Sequence, residues 1–171
     1  MTESHDPTPD AWAAVFARMA GVLLSEQTVT TVLELITSLA KDTLPDTDGS
    51  GITLVDGESN RSTSAATGQM VERLDALQYE LGDGPCLAAI RDGVPVRVDD
   101  LGGEERWPEW SRRATELGMS SSLSVPLQYA GEMMGTLKVY STRPRVYSAD
   151  SEDILGRFAE QAGSCWRTCT P

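Results

Sequence analysis

Ser120–Ser141, SSSLSVPLQYAGEMMGTLKVYS, decides how this chain folds. In its first half Leu123, Val125 and Leu127 fall on one side, and Ser122, Ser124 and Gln128 on the other. Tyr129-Ala130-Gly131 supplies a turn, and the second half alternates again, Leu137 and Val139 against Thr136, Lys138 and Tyr140. Period-two alternation on both sides of a turn is the pattern of an antiparallel hairpin with one apolar and one polar face. The apolar face requires a cover, and the two ends of the chain provide candidates. Ala11–Leu24 carries Trp12, Val15, Phe16, Met19, Val22 and Leu23, and Glu26–Thr43 carries Val29, Val32, Leu33, Ile36 and Leu39, both at helical spacing. The final helix starts after Ser148 as N-cap, with Asp150, Glu152 and Asp153 suiting the dipole. Its stripe is Ile154, Leu155, Phe158, Ala162, Cys165, Trp166 and Cys169.

Working outward, Gly51–Val55 and Arg61–Thr67 predict a second hairpin around the turn residues Asp56–Asn60. Met70–Leu81 predicts a helix with Val71, Leu74, Leu77 and Leu81 inward and Glu72 and Asp75 on the opposite side. Leu81–Leu101, LGDGPCLAAIRDGVPVRVDDL, reads as a glycine turn, a short helix opened by Pro85 and closed by Gly93, and a strand over Val94–Val98. Trp107-Pro108 leads a further short helix to about Leu117. The predicted order is α-α-β-β-α-α-β-α-β-β-α, an α+β fold with a central antiparallel sheet. Met1–Asp10 reads as a disordered tail, and residues 11–171 as a single domain.

Composition narrows the function. The chain has 171 residues, 26 acidic and 14 basic, and a formal charge of −12, so charge attraction gives no support for binding nucleic acid or an anionic membrane. Three cysteines, two of them four residues apart in one helix, do not make a disulfide framework and suit a reducing cytoplasm. No run of about 18 apolar residues is present. His5 is the only histidine and lies in the tail, which removes histidine general bases and most zinc sites. The Gly82-Asp83-Gly84 turn has Leu87 where a dinucleotide fingerprint needs its third glycine, so these glycines read as turn geometry.

The ordered set SLSVPL, GTLKVYS, an acidic-started final helix, LGDGPCLAAIRDGVPVRVDDL and RWPEW resembles the GAF family of small-molecule-sensing domains. It is most similar to the actinobacterial GAF domains that often precede an RNA-binding ANTAR module in transcription antiterminators. The resemblance covers roughly Ala11–Thr168, without the basic, alanine-rich three-helix segment of an ANTAR module. It implies a GAF/PAS-like fold, with terminal helices on one sheet face and short helices and loops over a pocket on the other. It also implies a non-catalytic regulatory domain, in the cytoplasm, that senses a small ligand or redox state. The cyclic-nucleotide signature of some members is not recognisable, and an internal haem-holding histidine is lacking. Neither cofactor nor metal is expected, and direct binding of nucleic acid or membrane by this domain is not expected either.

The expected pocket wall is Gly84, Cys86, Leu87, Trp107 and Trp110, and its floor is Ser122, Ser124, Thr136, Lys138 and Tyr140, with Lys138 suited to an anionic ligand. Three readings of Cys86 remain open: a small buried thiol, a sensing thiol, or the nucleophile of a free methionine sulfoxide reductase-like enzyme, as one GAF branch uses. The last needs a resolving cysteine, and none precedes Cys86. Trp107 and Trp110 read equally as a lid with the acidic loop Asp99–Glu105 or as anchors of a short helix. The family packs terminal helices across a dimer two-fold, which assigns Trp12, Phe16, Met19, Leu23, Phe158, Ala162 and Trp166 to a homodimer interface. A dimerisation module with a degenerate pocket is the remaining alternative.

Overall fold

The protein is described by a computed structural model over residues 9–22 and 28–169. Helices α1 (Pro9–Val22) and α2 (Thr28–Thr43) precede a hairpin of β1 (Gly49–Val55) and β2 (Arg61–Ala66). Then come α3 (Gln69–Leu81), α4 (Pro85–Asp92), the short β3 (Val96–Val98), a 3-10 turn at Leu101–Gly103 and α5 (Pro108–Glu116). Strands β4 (Ser121–Tyr129) and β5 (Glu132–Ser141) lead into α6 (Ala149–Cys169). The element order is the one read from the sequence, with the 3-10 turn added. Pro9 and Asp10, placed in the expected tail, already belong to α1, while residues 1–8 and Leu23 lie outside the described residues. β1 starts at Gly49, two residues before the expected Gly51, because the Gly49 backbone pairs with Tyr140.

All pairings are antiparallel, and the strand order is β2-β1-β5-β4-β3. The two hairpins are thus joined through β1 and β5, strands some eighty residues apart in the chain (Ile52 opposite Leu137, for example). The apolar rows of the alternating strands, Ile52, Leu123, Val125, Leu127, Leu137 and Val139, face α2 and α6 in one buried cluster. Val32, Leu33 and Ile36 of α2 and Leu155, Phe158 and Ala162 of α6 complete it. Ser148 caps α6 as expected: its Oγ accepts from the Ser151 N–H at 3.4 Å, and Ser151 Oγ accepts from the Ser148 N–H at 3.0 Å. α1 packs outside these helices, with Trp12 stacked on Phe16 at 5.6 Å and tilted against Phe158 at 4.9 Å between ring centroids.

A second cluster, Val71, Leu74, Ala88, Ala89, Val98, Trp110 and Tyr140 among its members, lies on the other face under α3, α4 and α5. The sheet is therefore covered on both sides. Its centre is held tightly: Gly135 sits at φ +156°, and a Cβ there would overlap the Thr53 carbonyl oxygen of the neighbouring strand. Gly135→Ala is expected to cost about 2–4 kcal/mol, because backbone cannot retreat as a side-chain tip can. The check is urea unfolding, with a lower midpoint at unchanged slope.

Candidate functional site

The polar face of β4 and β5 is enclosed rather than wetted. Helix α3 approaches it closely because β1 lacks side chains where Val71 seats: a Cβ on Gly49 or Gly51 would stand 2.6 or 2.7 Å from a Val71 methyl. One helical turn beyond Val71, that seat brings Asp75 onto Lys138. Asp75 Oδ2 lies 2.6 Å from Lys138 Nζ, and neither side chain is exposed. Lys138 Nζ also donates to Thr53 Oγ1. Thr63 Oγ1 donates to Asp75 Oδ2 at 2.8 Å and Tyr140 Oη donates to Asp75 Oδ1 at 3.0 Å. The Tyr79 hydroxyl bridges Thr53 and Thr63 at 2.6 and 3.0 Å.

Burying two charges costs several kcal/mol per ion, offset only when Coulomb attraction and hydrogen bonds are both good. Here the carboxylate accepts two hydroxyl bonds besides the lysine. Burial works against the Lys138 charge, but Asp75, with Cys86 and Tyr79, outweighs it and holds the ammonium above its ordinary pKa. Burial and the Asp75 charge push the Tyr140 phenol well above its usual value, so it stays a donor. Burial likewise raises Tyr79.

Helix α4 begins at Gly84 with Pro85 in its first turn and no cap from its own side chains. The cap comes from α3: Gln78 Oε1 accepts from the Cys86 N–H at 2.9 Å, while Gln78 Nε2 donates to Tyr140 Oη at 3.3 Å. Gly84 has φ +152°, and a Cβ there would overlap the Gln78 side chain. The glycine turn is thus the geometry that admits Gln78. Cys86 is fully buried, with Sγ 3.6 Å from Thr53 Oγ1. A helix N-terminus favours a thiolate, but burial dominates and pushes the thiol up to about 11.

The structure therefore gathers Cys86, Lys138 and Tyr140 around Asp75, Thr53 and Gln78. Thr136 is buried beside them, its Oγ1 donating to the Val125 carbonyl at 2.8 Å. Ser122 and Ser124 lie opposite Tyr140 and Lys138 in register, buried, with Oγ atoms that have no hydrogen-bond partner. Gly84 and Leu87 sit at the start of α4, Leu87 buried. Trp110 Nε1 donates to the Leu74 carbonyl at 3.1 Å and Trp107 Nε1 to Asp83 Oδ1 at 3.1 Å, so each indole ties α5 or its entry to a neighbouring segment. Arg106 lies over Trp107 at 4.5 Å and pairs with Glu104 at 2.7 Å, which fastens the acidic loop. Near Tyr140, a cleft of about 200 Å³ opens between Asp48, Met70, Leu74 and Met119.

Of the residues assigned to a dimer, Phe158 and Ala162 are buried in the chain's own core, while Trp12, Phe16 and Trp166 are half-buried at its edge. Met19 lies in α1, but its side chain, like Leu23, falls outside the described residues. Cys165 is buried in the terminal-helix cluster, on the sheet face opposite Cys86. Among the described residues no His/Cys/Asp/Glu group is arranged to hold a metal, and no helix is long and apolar enough to cross a membrane.

One placement overturns the sequence reading. Asp75, assigned to the outer side of α3, is fully buried, and Leu81 is 38% exposed. The inward stripe is Val71, Leu74, Asp75 and Gln78, spacings of three and four that carry two polar residues. Thr53, Thr63 and Tyr79 were likewise missed. The available signal was Lys138: a lysine midway along a covered strand requires a buried acid, and Asp75 has the right helical phase. Lys138→Met alone is expected to cost about 3–5 kcal/mol by orphaning Asp75, and adding Asp75→Leu to recover most of it. Urea unfolding of the two single variants and the double variant gives the coupling.

A GAF domain family profile matches residues 26–166. Comparison with curated proteins returns no match. Among solved structures, the chain is similar to a type II free methionine-R-sulfoxide reductase from Thermoplasma acidophilum. Identity there is 20%, coverage 84% of this chain and 95% of that one, and the TM-score 0.66. A free methionine-R-sulfoxide reductase from Neisseria meningitidis, solved with its substrate, matches at 17% identity over 99% and 98% of the chains, TM-score 0.64. The GAF domain of an Acinetobacter phosphoenolpyruvate-protein phosphotransferase matches at 19% identity over 91% and 92%, TM-score 0.67. At such identities these likenesses speak for the fold alone. The profile covers most of the chain, and the five-stranded sheet between helical layers agrees with it: this chain belongs to the GAF domain family.

Proposed function

We propose that the chain is a non-catalytic regulatory GAF domain that senses a small molecule between the polar face of β4–β5 and helices α3 and α4. The observation that carries this reading is the enclosed Asp75–Lys138 pair. Apolar residues of similar volume would hold these elements together as well or better, so a charged cluster there suits recognition more than stability. The output is a change in the packing of α1 and α6, on the opposite face of the sheet, across a homodimer two-fold. Trp12, Phe16 and Trp166, half-buried at the outer edge of the terminal helices, are the residues best placed for that contact. In the setting that the sequence resembles, such a cytoplasmic domain controls an RNA-binding ANTAR effector in antitermination. With a formal charge of −12, the domain itself leaves nucleic acid to its effector.

The rival reading is an enzyme, favoured by the likeness to two free methionine-R-sulfoxide reductases. Against it stand a thiol raised to about 11 by burial and the position of Cys165, which is buried on the opposite sheet face. Turnover of free methionine sulfoxide with a thiol reductant is expected to be absent. A rate abolished by Cys86→Ser overturns the sensory reading in favour of catalysis. For the output, Phe16→Glu or Trp166→Glu is expected to turn a dimer into a monomer in sedimentation velocity, and unchanged sedimentation removes the terminal-helix interface.

A further inference from the structure

Helix α3 supplies two acceptor groups to the enclosed face, each seated on a donor that does not belong to α3. The Asp75 carboxylate sits on Lys138 Nζ at 2.6 Å, and the Gln78 carboxamide oxygen sits on the Cys86 N–H at 2.9 Å, at the N-terminal end of α4. A cation and a helix N-terminus are the two donors that most favour a carboxylate. Tyr140 Oη touches both α3 side chains, 3.0 Å from Asp75 Oδ1 and 3.3 Å from Gln78 Nε2, so the two groups stand one hydroxyl apart. Their outline is that of one small compound with a carboxylate at one end and an amide or second acid at the other.

The geometry points to a carboxylate-binding site, made by Lys138, Tyr140 and the start of α4, that α3 fills with its own Asp75 and Gln78 until a small carboxylate bearing a second acceptor oxygen takes their place. This rests on the sensory reading above and names its ligand class. An independent observation comes from the strands. Ser122 and Ser124, opposite Tyr140 and Lys138, bury hydroxyls that have no hydrogen-bond partner while α3 is seated. Orphaned buried hydroxyls are costly and rare, and beside a cation they suit the remaining oxygens of such a ligand. The cleft of about 200 Å³ that ends on Tyr140 provides a way in. α3 is a single-layer cover: Glu72, Arg73, Ala76 and Glu80 on its outer side are exposed, and Gly68 and Gly82 bracket its ends. Opening it consumes part of the binding free energy, so the wild-type chain binds weakly and a loosened α3 binds tightly.

The test titrates the full chain with succinamate and, as neutral control, succinamide, reading the Cys86 amide in 1H–15N NMR spectra. Asp75→Asn, which leaves Lys138 without its internal carboxylate, is expected to tighten succinamate at least tenfold and leave succinamide unchanged. Asp75→Asn/Lys138→Met is expected to bind both equally weakly. Should Asp75→Asn fail to fold, Val71→Ala loosens α3 on β1 without touching a polar group, and the same tightening is expected. Equal affinity for the two compounds in all variants, or no tightening in either opened variant, overturns the carboxylate site and leaves the sensory reading standing. Cys86-dependent turnover of methionine sulfoxide removes the sensory reading instead.

Discussion

A lysine in the middle of a covered strand is the constraint on which this domain depends. Lys138 has no exposure, so its charge must be answered inside the protein, and the answer comes from Asp75 on a helix more than sixty residues earlier. Much of the surrounding sequence can be understood as serving that meeting. Gly49 and Gly51 let Val71 down onto β1, and Val71 sets the height of Asp75. Thr63 and Tyr140 complete the hydrogen bonding of the carboxylate. Gln78, one turn further along α3, reaches across Gly84 to cap α4, so the helix carrying Cys86 is docked by the same segment that neutralises the lysine.

The two sheet faces divide the labour. Aliphatic rows meet α2 and α6 in a dry core, where a loss of volume is felt directly. The opposite rows hold serine, threonine, lysine and tyrosine beneath helices that contribute both apolar and polar residues. That division also explains the behaviour of Cys86. In a polar, half-open turn the same position would carry an activated thiol. Beneath α3, desolvation outweighs the helix dipole, and the thiol remains protonated. The state of this thiol is therefore set by its cover and partners more than by its place at a helix start.

The architecture was readable from periodicity because the strongest signals were local. The alternation of Ser120–Ser141, the stripes of α2 and α6, and the Ser148 cap each report their own element. The polar face of β5 was legible for the same reason: once Leu137 and Val139 point to the core, Lys138 and Tyr140 must point the other way. What escaped was the cover. On α3, Val71 and Leu74 belong equally to a stripe continued by Leu77 and Leu81 and to one continued by Asp75 and Gln78, and hydrophobicity selects the wrong one. Only the partner, distant in sequence, makes Asp75 an inward residue. Trp107 and Trp110 were ambiguous in a similar way, because an indole anchors or closes depending on where its N–H goes.

The strand order has a consequence for how the chain is made. β5 is the central strand, and both β1 and β4 pair with it. While a nascent chain emerges from N- to C-terminus, the β1–β2 hairpin and α3 exist for many seconds with neither their sheet partner nor the lysine for Asp75. Long-range closure of this kind slows folding. Until it happens, the inner edge of β1 is open and the Asp75 carboxylate lacks the cation that accompanies its burial. The last third of the chain is thus the keystone: β5 pairs the open edge of β1, brings Lys138 to Asp75 and joins the two hairpins.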